Sequence, residues 1–242
     1  MKIFVTGSAD GLGRAAADTL LRSGHEVVVH VRSSARLAAV ADLTGRGAAV
    51  VVGDLADADE VCGVAEQVNR LGSMHAVIHN AGVYSGPAVM PVNVIAPYLL
   101  TVLMHRPERL IYLSSGMHYS GRDRVDRLNG SGRRATGSYS DSKLLVTALM
   151  ALVASHWSST LSNAVDPGWV PTRMGGAGAP DDLRLGHLTQ EWLATSDDVD
   201  ARTSGGYWHH QRRRRPHRSV HDQRFQHELL DELVRFTGVS LD

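Results

Sequence analysis

A tyrosine and a lysine four residues apart, Tyr139 and Lys143, open a run with helical apolar spacing that extends to Ala154. At that spacing the two side chains share one helix face, one turn above each other. A phenol has an ordinary pKa of about 10, too high for a useful base at neutral pH. A fixed ammonium at ~4 Å, in a site of effective dielectric ~20, favours the phenolate by roughly 4 kcal/mol, or about three pKa units. The pair is therefore expected to move a proton near pH 7 as a general acid or base. Tyrosine and lysine at this spacing are also common as a core ring beside a solvated charge, so the rest of the chain has to supply a site around them.

The 242 residues are 43% hydrophobic and 21% charged, ordinary globular proportions. No Pro/Ser-rich linker divides residues 1–242, which are read as a single domain. Zero formal net charge gives no whole-molecule attraction to nucleic acid or to an anionic membrane. The lone cysteine, Cys62, rules out an internal disulfide, fits a reducing compartment and reads as a small buried helical residue. The first strand begins at Lys2, leaving no room for a signal peptide, so a cytoplasmic protein is expected. The longest apolar run, Val92 to Met104, is broken by Pro97 and falls short of the ~20 residues of a membrane span. Thirteen histidines are scattered without an H-E-x-x-H or Cys/His cluster, so no metal site is expected.

Upstream of Tyr139 the chain alternates strands with helices. Lys2 to Thr6 is β-rich and runs into Gly7-Ser8-Ala9-Asp10-Gly11-Leu12-Gly13, followed by a helical pattern over Arg14 to Arg22. Glycines at such a junction permit the tight turn and let a pyrophosphate reach the amides at the helix N-terminus. Asp10 brings a carboxylate into that turn, which repels phosphate unless it caps the helix. Glu26 to Val31 is a second strand ending in Arg32-Ser33-Ser34. An acid at this position would take a ribose 2′-hydroxyl, whereas arginine suits a 2′-phosphate, so NADP(H) is expected over NAD(H).

Ala48 to Val52 is the third strand, followed by Asp54, which could reach an adenine amino group or cap the helix over Asp57 to Leu71. His75 to His79 leads into Asn80-Ala81-Gly82, and Arg109 to Leu113 into Ser114-Ser115. Open α/β sheets bind ligands beyond the carboxyl ends of their strands, so these motifs converge on one crevice. Pro97 should kink the helix over Val92 to Met104 and free the carbonyl of Asn93. Met117 to Gly137 has no sustained period and reads as an irregular excursion on the rim.

With Thr6-Gly7-x-x-x-Gly11-x-Gly13, Asn80-Ala81-Gly82, Asn93, Ser114-Ser115, Tyr139-x-x-x-Lys143 and Pro167-Gly168-x-x-x-Thr172 in this order, the chain resembles the short-chain dehydrogenase/reductase family. The resemblance runs from Lys2 to about Gly238. It implies a Rossmann-type doubly wound α/β fold of about seven strands, order 3-2-1-4-5-6-7, with helices on both faces. It also implies that the turn residues Gly7, Ser8, Asp10, Gly11, Leu12 and Gly13 meet the cofactor pyrophosphate. Arg32 and Ser33 would bind the adenosine ribose phosphate, and Asp54 and Leu55 the adenine. Asn80, Ala81, Gly82, Pro167, Gly168, Val170 and Thr172 would complete the cofactor site. Tyr139 would be the acid/base and Lys143 its partner on the nicotinamide ribose. Ser115 would orient the substrate oxygen, and the Asn93 carbonyl would hold a relay water. A short Gly82–Asn93 segment and a long insertion before Tyr139 make it similar to retinol-dehydrogenase-like members and to ketoreductases of the daunorubicin C-13 type.

The implied activity is hydride transfer between NADP(H) and a small carbonyl/alcohol substrate. The family's habit of pairing through the helices carrying Asn93 and Tyr139 implies a homodimer or homotetramer. The glycine-rich stretch from Arg173 to Gly186, within 173–200, is expected to supply a lid over the substrate. Trp169, Met174 and Trp192 could wall an apolar pocket, with core packing favoured for Trp192. The run Gln211 to Arg218 reads as a solvated loop after a seventh edge strand, and Gln223 to Phe236 as a closing helix. A nucleic-acid binder would use that arginine run, and a non-catalytic NADP(H) sensor or scaffold would be expected to lose Tyr139 or Lys143. The chain keeps both.

Overall fold

Alternation of apolar residues along the strands builds two cores, one on each face of a single sheet. In β1 (Lys2–Val5) Phe4 joins one core while Ile3 and Val5 join the other. In β4 (Ala76–His79) and β5 (Arg109–Leu113), Val77, Leu110 and Tyr112 face the first core, and Ile78, Ile111 and Leu113 the second. Strands buried on both faces are what a parallel sheet requires, because its crossover helices cover both sides. The computed structural model describes residues 1–125, 128 and 137–241.

The remaining strands are β2 (Glu26–Val31), β3 (Ala49–Val52), β6 (Leu161–Asp166), β7 (Gly206–His209) and β8 (Arg212–Arg214). The sheet order is β3-β2-β1-β4-β5-β6-β7-β8, parallel throughout except for antiparallel β8. Helices α1 (Gly11–Arg22), α2 (Ala41–Gly45), α3 (Ala58–Arg70), α4 (Ala96–Leu103), α5 (Tyr139–His156), α6 (Leu183–Thr195) and α7 (Gln223–Thr237) complete the fold. The first core gathers α3, α4, α5 and α7; the second gathers α1, α2 and α6. This is the doubly wound Rossmann-type architecture, and the seven parallel strands follow the expected order.

Four expectations are corrected. The predicted helix over Val92 to Met104 is a π turn, Pro91–Ile95, continued by α4. The Ala96 amide reaches back to the Pro91 carbonyl, and this wider turn precedes the missing amide of Pro97. The cap of α3 is Asp57, whose Oδ1 accepts from the Asp59 and Glu60 amides, while the Asp54 carboxylate accepts from the Ala56 amide. The stretch 173–200 contains α6, which packs into the second core through Leu193 and Ala194, with Trp192 edge-on to Trp208 at 5.2 Å. Only the residues before the α6 cap, Asp182, are left to overhang the cleft.

The fourth correction concerns the arginine run. Arg212–Arg214 pairs with β7 as an exposed edge strand, where three positive side chains discourage edge-to-edge association. The connecting residues His210 and Gln211 have φ of 48° and 59°, the two left-handed positions of a type I′ hairpin turn. Histidine is among the few non-glycine residues enriched in that region, whereas glutamine is not.

Residues Asp141 through Val153 of α5 are all buried within the single chain, with α7 packed against it. The C-terminal tail is fastened by Trp157 Nε1 donating to the Leu241 carbonyl and the Tyr98 hydroxyl to the Val239 carbonyl. Of the two helices that the resemblance offers for subunit pairing, α5 is thus largely covered by the protein itself.

Left-handed backbone costs a residue with a Cβ about 1–2 kcal/mol. Gln211→Gly should therefore stabilise the protein by roughly 0.5–1 kcal/mol after the extra freedom of glycine in the unfolded chain is deducted. Urea denaturation measures it; a loss of stability would show that the Gln211 side chain contributes more than its backbone costs.

Candidate active site

The carboxyl ends of the strands open into a cleft of about 1210 Å³ that runs from the Gly7–Leu12 turn, past Asn80–Gly82 and Ser114–Gly116, to Trp169. At one end stand the glycine turn and two arginines. At the other stand Tyr139, Lys143 and Ser115.

The glycine turn is shaped by contacts across the sheet. Gly7 and Gly11 have φ of 65° and 56°, and a Cβ at Gly13 would overlap the Asn80 amide. Asn80 Nδ2 donates to the Thr6 carbonyl at 2.9 Å, fastening the turn to the end of β4. Asp10 occupies the N-cap position of α1, but its side chain makes no cap bond and pairs with Arg36 at 3.1 Å. The amides of the first helical turn are consequently not taken by the Asp10 carboxylate, the arrangement in which a helix N-terminus receives an anion.

Three of the residues expected to meet cofactor are placed differently. The Ser8 hydroxyl is buried, donating to the Val5 carbonyl and accepting from the His30 amide at 3.1 Å, so it is turned away from the cleft. Ser33 is exposed and starts a short 3₁₀ turn outside the cleft lining, where Arg36 stands beside Arg32. Gly13 also lies outside the lining and serves close packing. Gly7, Asp10, Gly11, Leu12, Arg32, Asp54, Leu55, Asn80, Ala81 and Gly82 all line it.

His30 was not singled out in the sequence. Its Nδ1 accepts from the Gly7 amide at 3.0 Å, so its Nε2 carries the proton toward the Gly53 carbonyl at 2.8 Å. Burial lowers its pKa, and the neutral ring ties the glycine turn to the end of β3. A histidine among the valines of the second strand was the available signal.

At the other end a capping box sets the first residue of α5. Ser138 accepts from the Asp141 amide at 3.1 Å, and Asp141 accepts from the Ser138 amide at 3.0 Å. Asp141 also takes the Arg122 amide at 2.9 Å; although burial opposes it, these bonds hold its carboxyl down to about 2. Tyr139 is thereby the first helical residue, and Lys143 lies one turn on.

The Ser114 hydroxyl turns inward to Thr147 at 2.6 Å, while that of Ser115 accepts from the Met117 amide and stands near enough to the Tyr139 phenol to lower its pKa. Asn93 holds the amide and carbonyl of Val83 at 2.8 and 3.0 Å and donates to Ser142 at 2.9 Å. It thus joins the segment after β4 to α5.

The expected three-unit drop in the Tyr139 pKa is not found. Burial pushes the phenol up to about 12; the Ser115 hydrogen bond lowers it, and the Asp166 and Tyr84 side chains raise it. Lys143 Nζ is 5.4 Å from the Tyr139 ring centre and donates to the Leu113 carbonyl at 2.6 Å. Burial takes its ammonium down to about 8, opposed by Asp166. Desolvation therefore outweighs the ion pairing assumed for an ammonium at ~4 Å.

The segment after β6 closes the cleft. Pro167, Gly168, Val170 and Thr172 all line it, and Thr172 packs against Gly11. Asp181 accepts from the Trp169 amide at 2.6 Å, and Trp169 Nε1 donates to the Gly175 carbonyl at 2.9 Å. Trp169 and Met174 are exposed on this rim. Tyr84, with its ring 4.9 Å from that of Tyr139, and Asp166 and His209 also face the cleft; none was singled out as a site residue from the sequence.

The short chain dehydrogenase family model matches residues 1–102. An uncharacterized oxidoreductase of Emericella nidulans is 35% identical, with the alignment covering 100% of this chain and 98% of that protein. The chain belongs to the short-chain dehydrogenase/reductase family. Among other relatives of this oxidoreductase, a putative daunorubicin C-13 ketoreductase of Streptomyces is 30% identical over 85% of this chain and 82% of its own length. A putative short chain dehydrogenase from Shigella flexneri, solved in complex with NADP, superposes with a TM-score of 0.68 at 25% identity, covering 87% of this chain and 97% of that one. No helix among the described residues of this dehydrogenase/reductase is long and apolar enough to cross a membrane.

The Lys143 ammonium falls from 10.5 in the unfolded chain to about 8 in the fold, so the unfolded state binds more protons between those values. Stability should accordingly rise with pH across that window and be lowest, from this group, below about pH 8. Relative to Lys143→Met, the wild-type apoprotein should gain roughly 2–3 kcal/mol between about pH 8 and 10 in chemical denaturation. A flat difference would mean that the amine is not desolvated.

Proposed function

We propose that this oxidoreductase transfers hydride between NADP(H) and a ketone or aldehyde and its alcohol, with Tyr139 as the acid/base. The observation that carries the reading is the meeting of the Tyr139 phenol, Ser115 hydroxyl and Lys143 amine at one end of a cleft whose other end carries Arg32 and Arg36. The cleft fits a dinucleotide phosphate. It combines a close-packed glycine turn, a helix N-terminus without a carboxylate cap, and two arginines facing the ribose end with no acid at the tip of β2.

Bound NADP(H) would supply the hydride. The backbone at Gly7, Gly11 and Leu12 would hold its pyrophosphate, Arg32 and Arg36 the 2′-phosphate, and Asp54 and Leu55 the adenine. Asn80 to Gly82, Pro167, Gly168, Val170 and Thr172 would flank the nicotinamide half, with residues 171–182 covering the substrate.

Ser115 donates a hydrogen bond to the substrate oxygen, directing it at the phenol. Burial keeps Tyr139 protonated, the form needed to donate to a developing alkoxide. Below about pH 8 the Lys143 ammonium then favours the phenolate left behind, and a water on the Asn93 carbonyl would return the proton. The ketoreductase relative supports a ketone substrate, and the single free cysteine supports a reducing cytoplasm.

Tyr139→Phe should lower turnover of a carbonyl panel by roughly 10²–10⁴-fold while leaving NADPH affinity unchanged, measured by NADPH oxidation and by fluorescence titration. Near-wild-type turnover would overturn the assigned acid. Wild-type protein that binds NADPH but oxidises it with no carbonyl would instead be a nucleotide-binding scaffold. Arg32→Ala combined with Arg36→Ala should weaken NADPH binding by roughly 10–100-fold and leave NADH binding unchanged. Equal losses for both nucleotides would remove the 2′-phosphate assignment.

A further inference from the structure

One carboxylate in the cleft has no part in the chemistry above. Asp166 is the last residue of β6, and its side chain is held in place on two sides. The Gly168 amide donates to Oδ1 at 3.0 Å and the Tyr207 hydroxyl to Oδ2 at 3.0 Å. Oδ2 also lies 3.2 Å from where a Cβ at Gly116 would stand, one residue beyond Ser115. His209 Nδ1 is 3.7 Å away, and among the described residues no lysine or arginine pairs with this carboxylate. Its side chain keeps 15% of its surface exposed, and it lines the cleft. A carboxylate has about four acceptor positions, and these two bonds fill two of them.

We propose that Asp166 is a specificity determinant, accepting a hydrogen bond from a hydroxyl that the substrate carries beside its carbonyl, and so selecting uncharged hydroxy ketones over keto acids. The inference rests on the proposed carbonyl reduction and deepens it. A carbonyl oxygen held by Ser115 and Tyr139 leaves the neighbouring substituent close to Gly116, the residue against which Oδ2 stands. Tyr84, Met117, Trp169 and Met174 add apolar surface to the cleft, whose lining also includes Arg173, Asp181 and His209. Asp166 is the acidic acceptor next to Ser115, and its charge is felt at the chemistry, raising the pKa of both Tyr139 and Lys143. A second carboxylate placed beside it would be repelled, which turns the same residue against keto acids. The alternative is purely structural: Asp166 would fasten the segment after β6 to β7 through Gly168 and Tyr207.

The experiment compares kcat/KM with saturating NADPH for an aryl ketone, its α-hydroxy derivative and the matching aryl keto acid. Wild type should prefer the hydroxy ketone over the plain ketone by roughly 10–100-fold, the worth of a hydrogen bond to a charged group. It should be slowest on the keto acid. In Asp166→Asn the preference should shrink by about tenfold, chiefly through KM, and the keto acid should gain. Melting temperature and NADPH affinity report whether that variant is folded. If it is not, the wild-type ranking decides alone: equal rates on the two ketones, or a favoured keto acid, overturn the proposal. A folded variant that slows both ketones equally and keeps their ratio shows the structural role and also overturns it. Reduction of neither ketone by protein that binds NADPH fells the carbonyl-reductase reading itself, an outcome distinct from loss of preference.

Discussion

The site depends on where α5 starts. Ser138 and Asp141 cap each other's amides, and Arg122 from the preceding segment closes on Asp141, so the helix begins at Tyr139 and at no neighbouring residue. A start one residue later would rotate the face by about 100° and carry the phenol away from Ser115. The body of the helix is held equally firmly. Thr147 is bonded to the Lys143 carbonyl and to Ser114 at the end of β5, and Ser142 bonds Asn93 within the π turn. Polar bonds at three levels thus register one helix against two neighbouring elements.

Burial is the second constraint, and it acts against the charges that the chemistry uses. Lys143 is 4% exposed and sits on a backbone carbonyl with no carboxylate within ion-pair distance among the described residues. Its charge is consequently easy to lose, and the neighbouring phenol is easy to keep protonated. A phenol kept protonated is the form that a proposed reductase needs for donation. The nearby Asp166 opposes the discharge of the amine, so one carboxylate influences both members of the pair.

The glycine turn shows the same economy at the nucleotide end. Asp10, which threatens an anion in the sequence, is drawn off by Arg36, and His30 and Asn80 bind the turn to the ends of β3 and β4. These three contacts leave the helix terminus without an acidic cap and the adenosine end lined by two arginines.

Local pattern was enough for the alternating strands and helices, the turn at Gly7–Gly13 and the family, whose resemblance implied the strand order, because β-rich runs, glycine spacing and strand-end motifs are written in contiguous residues. Three things were decided only by packing. Whether Arg212–Arg214 is a loop or an edge strand depended on β7 offering a free edge, which no local feature of the run records. Whether α6 was lid or core depended on Leu193 and Ala194 finding the second face of the sheet. The proton affinities of Tyr139 and Lys143 depended on how much water the whole fold removes, a quantity set by residues far apart in the chain. Asp166, Arg36 and His209 enter the cleft for the same reason: a sequence states which side chains exist, but the crossing of strands and helices determines which of them share a solvent-filled space.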